Sequence, residues 1–174
     1  DCPVVEVPGT LHSLTTEYAP GESVRDAVAR LLPGAKGQVL CFLPGAREIE
    51  RARSELAAVA ASAGVDAVPL HGSLDGDAQD EAIRAAAERR VILATNIAET
   101  SLTVPGIKYV IDPGYARISR YATRTKVQRL PIERVSRASA NQRAGRCGRV
   151  SEGVCIRLYS VEDFNARPEF TQPE

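Results

Sequence analysis

Several residue types that mark particular classes of protein are rare or missing in this sequence. It contains no methionine and no tryptophan, and only two histidines. Its four cysteines, Cys2, Cys41, Cys147 and Cys155, include no C-x-x-C pair, so the spacing of a structural metal site is absent. We therefore expect no metal in this chain, and reduced thiols that mostly face the core.

Long apolar runs are also missing. None approaches the roughly 18 residues that a membrane-spanning helix requires, and the N-terminus lacks the basic and then apolar pattern of a signal peptide. We therefore expect a cytoplasmic protein with no membrane partner. The 174 residues match the usual size of one domain. Because position 1 is not methionine, we expect the chain to be part of a longer protein.

Neither sign of charge is in excess overall, but the charges are unevenly distributed. The formal net charge is zero. Residues 116–149 nevertheless contain ten Lys or Arg against one acid, Glu133, whereas residues 47–90 contain six against nine. Such a basic tract is typical of an anion-binding surface or of a solvated face.

Short apolar runs alternate with helical patterns along most of the chain. The segments QVLCFL, VDAVPL, RRVILATN and IKYVID are typical of strands, and helical periodicity covers residues 22–32, 46–63 and 76–88. This alternation predicts an α/β fold, with a parallel sheet, helices on both faces, and ligands beyond the carboxyl ends of the strands. Residues 4–7 also resemble a strand, residues 8–23 a loop, and GVCIRLYS a final strand.

The pattern changes after residue 112. The segment ARISRYATRTKVQRLPIERVS alternates apolar and basic residues on either side of ATRT, which predicts an antiparallel β-hairpin at about residues 116–135. The segment SANQRAGRCGR then predicts a short helix or loop that is capped by Ser139.

The segment QRAGRCGR places Arg143, Arg146 and Arg149 three residues apart, with Gly145 and Gly148 between them. One interpretation is a solvated stripe on a helix. Glycine costs roughly 1 kcal/mol relative to alanine in a helix, so the two glycines favour a break or a close backbone approach. Guanidiniums this close repel one another unless they share an anion, and their planar forks suit phosphate oxygens. The cluster therefore favours a phosphate partner.

Four segments carry a resemblance to a known family. ATNIAETSLTVPGIKYVIDPG and SRASANQRAGRCGR resemble motifs V and VI of the DEAH-box RNA helicases of superfamily 2, and FLPGAREIE and LHGSL resemble motifs IV and IVa. The resemblance covers nearly the whole chain and is of the bacterial HrpA type. It implies that residues 1–174 form the second of two RecA-like domains, that the hairpin projects towards C-terminal domains, and that residues 168–174 begin the link to a winged-helix region.

The resemblance implies a role in ATP hydrolysis for residues of motifs V and VI. Gln142 is similar to the glutamine that reaches the γ-phosphate and the attacking water, and Arg146 and Arg149 resemble the arginine fingers. Ser101 resembles the serine that senses the hydrolytic site, and Thr103 lies near the nucleotide in the same comparison. A local backbone cap is the alternative for Ser101.

The resemblance also implies contacts to single-stranded RNA. Thr95 and Asn96 resemble the pair that holds the RNA backbone, and Gly45 in motif IV and Ser73 in motif IVa match further RNA-binding positions. A helix N-cap is the alternative for Thr95 or Asn96. DNA stays open as a substrate, because backbone contacts do not read bases.

Two family motifs are missing, and two positions depart from the family. The sequence contains neither the Walker A pattern nor a DEAH tetrad. We therefore expect ATP with Mg²⁺ whose ligands belong to the first RecA-like domain, and no activity from this chain alone. Many members of the family have an aspartate that holds the ribose where this chain has Pro105, and many place near Ile83 an aromatic that stacks on adenine. The two departures predict weak selectivity for the base. Arg143 suits either a phosphate or an internal ion pair.

Two questions stay open at this level. The hairpin charges can line a nucleic-acid path or dock the C-terminal domains; they are Arg117, Arg120, Arg124, Lys126 and Arg129. The chain as a whole can be a helicase motor domain or a non-catalytic RNA-binding module with the same sheet. The presence of both fingers and the glutamine favours the motor, because RNA binding alone does not need them.

Overall fold

The computed structural model describes residues 12–84, 89–122 and 126–171. Within them the strands are β1 (Leu14–Tyr18), β2 (Gln38–Phe42), β3 (Asp66–Leu70), β4 (Arg90–Ala94), β5 (Ile107–Asp112), β6 (Tyr115–Arg117), β7 (Arg120–Ala122), β8 (Val127–Arg129), β9 (Ile132–Arg134) and β10 (Gly153–Arg157). The helices are α1 (Val24–Leu31), α2 (Ala46–Ala63), α3 (Gly76–Ile83), α4 (Ile97–Thr100), α5 (Arg137–Ala144) and α6 (Val161–Ala166). The strand predicted at residues 4–7 lies outside the described residues.

Six strands form one parallel sheet in the order β1-β10-β5-β2-β4-β3. Every residue of β2 and of β4 is buried. This explains why both strands are continuous apolar runs, since a parallel sheet is covered on both faces. The predicted α/β architecture is confirmed.

The helices divide between the two faces of the sheet. Val39 and Cys41 of β2 point into a cluster with α1 and α2. The alternate residues Leu40 and Phe42 point into a second cluster, which contains buried residues of α3, α4 and α5. The helices that carry motifs V and VI therefore share one face of the sheet.

The cysteines behave as core residues in the described part of the chain. Cys41, Cys147 and Cys155 are buried and free, as predicted from their spacing. Burial raises the pKa of Cys41 to about 12 and that of Cys147 to about 11. These thiols are therefore protonated and unreactive at neutral pH.

Among the described helices, none combines the length and apolar character needed to cross a membrane.

Two local predictions were wrong. Residues 8–23 were expected to form a loop, but Leu14–Tyr18 form β1, which pairs in parallel with β10 at the sheet edge. Ser139 was expected to cap the helix of motif VI, but the N-cap is Ser136, whose hydroxyl accepts a hydrogen bond from the Ser139 amide. Ser136 alone has the extended backbone of an N-cap, because Ser139 already lies inside α5.

The break predicted at the two glycines is confirmed. Helix α5 ends at Gly145, and Gly148 has φ of +76°, which favours glycine. A Cβ at Gly153 would lie 2.4 Å from the Gly148 nitrogen. The arginine segment therefore packs closely against the start of β10 and does not continue as a helical stripe.

The predicted antiparallel hairpin is confirmed, in two ladders that share one register. Strand β6 pairs with β9, where Tyr115 faces Arg134, and β7 pairs with β8, where Arg120 faces Arg129. Pro131 lies between the ladders and has no amide hydrogen to donate, although its carbonyl accepts from Ile118. A small cluster of Ala116, Val135 and Ala140 fastens the base of the hairpin to α5.

Candidate nucleotide and nucleic-acid sites

The residues predicted to bind RNA follow three neighbouring strands at one edge of the sheet. Gly45 lies just after β2, Thr95 and Asn96 directly after β4, and Ser73 just after β3. Those strands are adjacent in the order β2-β4-β3. Backbone hydrogen bonds from Leu43 to Ala94 and from Thr95 to Leu70 continue the ladders into these loops. The carboxyl edge of the sheet therefore presents all four positions along one line.

The polar side chains at this edge are available to a ligand. Asn96 and Ser73 are exposed and Thr95 is half-buried. Asn96 occupies the N-cap position of α4 but makes no side-chain capping bond. The first turn of α4 closes through backbone bonds alone, from Ala98 to Thr95 and from Glu99 to Asn96. The amide of Asn96 is therefore not used to cap the helix.

A hairpin arginine covers Gly45. A Cβ at Gly45 would lie 2.7 Å from Arg117 Nε and 2.9 Å from Glu48 Oε2, so a larger residue would displace these two side chains. Arg117 Nη2 donates to Glu48 Oε1 at 3.0 Å. Arg117 and Asn96 both line a cavity of about 230 Å³ between α4 and the base of the hairpin. Sequence reasoning assigned Arg117 to a hairpin surface and missed its proximity to Gly45.

Arg143 belongs to an internal charge network. Its side chain is 0% exposed; Nε donates to Glu99 Oε2 at 3.1 Å and Nη1 to Asp112 Oδ1 at 2.8 Å. Nη2 donates to the Tyr115 carbonyl, and the guanidinium lies 4.7 Å from the centre of the Phe42 ring. Burial lowers the pKa of Arg143, but the two carboxylates outweigh burial and raise it above its usual value. Of the two alternatives for Arg143, the structure shows the ion pair.

Arg146 and Arg149 lack such neutralisation. Arg146 Nη2 donates to the backbone carbonyl of Glu99, and Arg149 Nε donates to the Gly145 carbonyl at 3.1 Å. Neither forms a salt bridge within the described residues. Burial, followed by the charge of Arg149, lowers the pKa of Arg146, and the charge of Glu99 offsets only part of this fall. The structure therefore holds two adjacent guanidiniums that form no salt bridge within the described residues.

The other predicted ATP-site residues lie open to solvent. Gln142, Ser101 and Thr103 are all exposed. Ser101 ends α4 through its backbone amide, which donates to the Ile97 carbonyl at 3.1 Å. Its hydroxyl makes no hydrogen bond in the described part of the chain. The alternative of a local cap by the Ser101 side chain is therefore not seen.

Glu99 is a residue that the sequence reasoning missed. Its carboxylate accepts from Ser139 Oγ at 2.8 Å and from Arg143, and its backbone carbonyl accepts from Arg146. One signal was available, because Glu99 is the only charged residue between Arg90 and Lys108. An isolated acid in an otherwise uncharged motif indicates a specific partner.

The positions that depart from the family have ordinary surroundings. Ile83 is half-buried and packs against the cluster on the α3, α4 and α5 face of the sheet, and Pro105 is exposed. Their predicted effect on base selectivity stays a prediction. Across residues 12–84, 89–122 and 126–171, no group of three or more His, Cys, Asp or Glu residues is arranged to hold a metal ion.

Comparison with known proteins identifies the family. Residues 23–151 match the helicase conserved C-terminal domain. The chain is 50% identical over its whole length to the ATP-dependent RNA helicase HrpA of Escherichia coli (strain K12) and 39% identical to HrpB of the same organism. It spans 14% of the length of the first relative and 22% of the second.

A solved structure agrees with this assignment. The crystal structure of the E. coli DExH-box NTPase HrpB superimposes with a TM-score of 0.84 and 39% identity, over 95% of this chain and 21% of that one. The chain therefore belongs to the helicase conserved C-terminal domain family, as a RecA-like domain of the DEAH-box RNA helicase type.

Proposed function

We propose that this chain is the second motor domain of an ATP-dependent RNA helicase. In this proposal Arg146, Arg149 and Gln142 complete an ATP site whose other wall is the first RecA-like domain of the same polypeptide. The carboxyl edge of the sheet holds single-stranded RNA by its backbone. The relatives named above are ATP-dependent RNA helicases, which supports the assignment.

The observation that carries the proposal is the unequal treatment of the three arginines. Two carboxylates neutralise Arg143, whereas Arg146 and Arg149 donate to backbone carbonyls and form no salt bridge among the described residues. Two close guanidiniums gain from a shared anion. The triphosphate of ATP is such an anion, and arginines placed against a transferring phosphoryl group stabilise the charge that develops there.

The residues of this chain fit part of an ATP site only. Bound ATP with Mg²⁺ supplies the phosphoryl group that is transferred to water. Arg146 and Arg149 would hold its phosphates, and the exposed amide of Gln142 would orient the attacking water through its donor and acceptor. Ser101 and Thr103 would lie near the nucleotide. The sequence has no Walker A loop or DEAH tetrad, so we expect the isolated chain not to hydrolyse ATP.

The proposed RNA contacts do not require base recognition. Hydroxyls and amides at Ser73, Thr95 and Asn96 suit phosphate and ribose oxygens. Arg117, which covers Gly45, is partly exposed and pairs with Glu48, lies beside them as a further hydrogen-bond donor. Such contacts bind DNA as well as RNA, so single-stranded DNA of the same length is the competitor that measures selectivity.

The first prediction concerns Arg149. In the full-length protein that contains this chain, Arg149→Ala should lower the rate of RNA-stimulated ATP hydrolysis by about 10³-fold or more, since arginine fingers are worth roughly 10³ to 10⁵ in related reactions. Its affinity for single-stranded RNA should stay within a factor of about two. Thr95→Ala should weaken RNA binding and, as a consequence, the stimulation of ATP hydrolysis by RNA. Phosphate release and RNA binding are measured on the same preparations.

The matched control is Arg25→Ala, which removes an exposed arginine from α1 on the other face of the sheet. It should change neither quantity. Full turnover in Arg149→Ala would remove the finger from the mechanism. If the unmodified protein binds RNA but hydrolyses no ATP, the non-catalytic RNA-binding module is the correct function.

A further inference from the structure

Glu99 joins the two halves of the proposed site. It lies on α4, three residues after Asn96, and contacts three residues in or just after α5. Its carboxylate oxygens accept one hydrogen bond each, from Ser139 and from Arg143, and its carbonyl accepts from Arg146. The side chain is only 12% exposed, so these bonds are largely shielded from water.

Helix α4 is short and is packed into the core through Ala98, which is fully buried. It is a single turn of four residues that begins directly after Thr95 and Asn96. The Thr95 amide is bound to the Leu70 carbonyl, at the end of β3. If an RNA backbone bound at Thr95 or Asn96 displaces these residues, it therefore displaces the whole turn, including Glu99.

Helix α5 is anchored at two places through one side chain. Arg143 connects it to β5 through Asp112, and to α4 through Glu99. The bond to Asp112 ties α5 to the rigid centre of the sheet. The bond to Glu99 connects α5 with the strand end that is proposed to hold RNA, together with the bonds that Ser139 and Arg146 make to the same residue.

The position of Arg146 depends directly on Glu99. Its guanidinium bonds to the Glu99 carbonyl, and its Nε is buried with no hydrogen-bond partner among the described residues. A shift of α4 therefore moves the acceptor that holds the Arg146 guanidinium. The two bonds from the Glu99 carboxylate to Ser139 and Arg143 hold α4 and α5 together during such a shift.

We propose that Glu99 is a positioning residue that couples RNA binding at the carboxyl edge of the sheet to the placement of Arg146 in the ATP site. The inference rests on the proposed function and goes beyond it, because it assigns the coupling to one carboxylate. Coupling between two binding sites is reciprocal, so the same residue should link RNA affinity to nucleotide binding.

Glu99→Gln is the variant that tests this inference in the full-length protein. A carboxylate accepts from both Ser139 and Arg143 and carries the negative charge that pairs with Arg143. An amide of the same shape removes that charge and, with its oxygen on Arg143, presents a donor in place of an acceptor to Ser139. The control is Glu22→Gln, the same change in a carboxylate that pairs with Arg30 beside α1. ATP turnover is measured with and without single-stranded RNA. RNA affinity is measured with and without a non-hydrolysable ATP analogue.

In Glu99→Gln the stimulation of turnover by RNA should fall at least about 5-fold, the lower end of typical coupling. The ratio of RNA affinities with and without the analogue should move towards one, and Glu22→Gln should keep both quantities. Unchanged stimulation together with an unchanged affinity ratio in Glu99→Gln would overturn the inference. A thermal melt of each variant shows whether it folds.

If Glu99→Gln does not fold, Ser139→Ala decides, because it removes only the bond to Glu99 Oε1. A smaller loss of coupling in the same direction supports the inference, and unchanged coupling overturns it. Failure of the proposed function looks different, since RNA would then stimulate no hydrolysis in the unmodified protein. Stimulation that is present in the unmodified protein and intact in the variants rejects the role of Glu99 alone.

Discussion

The hairpin, residues 116–135, and the α5 segment, residues 136–149, are both rich in arginine, but the fold pairs their arginines differently. Three hairpin arginines each meet a carboxylate within 3.3 Å: Arg117 with Glu48, Arg120 with Glu133, and Arg134 with Asp163. In the α5 segment, among the described residues, only Arg143 forms a salt bridge, and it is fully buried. The two arginines that follow it donate to backbone carbonyls instead.

This difference shows that composition does not decide which arginines are free to bind an anion. Residues 116–149 contain a single acid. The carboxylates that neutralise Arg117, Arg134 and Arg143 come from α2, α6, α4 and β5. A free guanidinium is therefore one to which the fold brings no acid, and that property belongs to tertiary structure.

The largest expected effect on stability is at Arg143. Arg143→Met should lower the free energy of unfolding by about 3–5 kcal/mol, because it leaves the buried Asp112 carboxylate without its cation. Arg146→Met should cost far less, since it breaks no ion pair. Denaturant unfolding followed by circular dichroism measures both. Adding Asp112→Asn to Arg143→Met should recover part of the loss, and equal losses at Arg143 and Arg146 would contradict the comparison.

A smaller effect distinguishes the two kinds of hairpin charge. Lys126 and Arg129 are exposed and form no salt bridge in the described part of the chain. If they contact phosphates, changing both to Gln should flatten the salt dependence of single-stranded RNA binding by about 0.7 log units per lost contact. The measurement is RNA affinity of the full-length protein at several salt concentrations.

The matched control changes two paired arginines, Arg120 and Arg134, to Gln. Their charges are already compensated by Glu133 and Asp163, so the slope should change less. Equal changes in both double variants would show that pairing does not matter for RNA. An unchanged slope with a shifted melting temperature in the full-length protein would favour docking of the C-terminal domains. Arg124 lies outside the described residues and is left unchanged.

The smallest expected effect is on the titration of Glu133. The hydrogen bond from Arg120 lowers the pKa of Glu133 below its ordinary value. The pair therefore stabilises the hairpin above the ordinary carboxyl pKa of about 4.3, and this contribution is lost as the pH falls through the lowered value. Carboxyl NMR titration of the chain and of Arg120→Gln measures the shift. Identical titration in both proteins would show that the pair has no effect.

Much of the fold was predictable because its signals are local. The apolar runs that became β2 and β4 are continuous, and Gly64 ends α2 in the left-handed conformation that glycine favours. Strand β1 was missed because its segment, LTTEY, is polar and largely exposed. It is a strand because β10 lies beside it, which no local pattern records.

Less of the candidate site was predictable from the residues alone. The spacing of Arg143, Arg146 and Arg149 indicated a phosphate partner for the group, but it did not separate the first arginine from the other two. The motif residues at Gly45, Ser73, Thr95 and Asn96 stay predictions as ligand contacts. The structure adds that they follow three adjacent strands and that Arg117 covers Gly45.

The sequence by itself determined the family, the alternation of strands and helices, the hairpin and the helix break at Gly145, because each depends on residues that are neighbours in the chain. Only the tertiary structure decided which charges are neutralised. Glu99 and Asp112 reach Arg143 from 44 and 31 residues away, and an ion pair depends on distance in space. The fold that buries Arg143 between two carboxylates leaves Arg146 and Arg149 without a salt bridge in the described part of the chain.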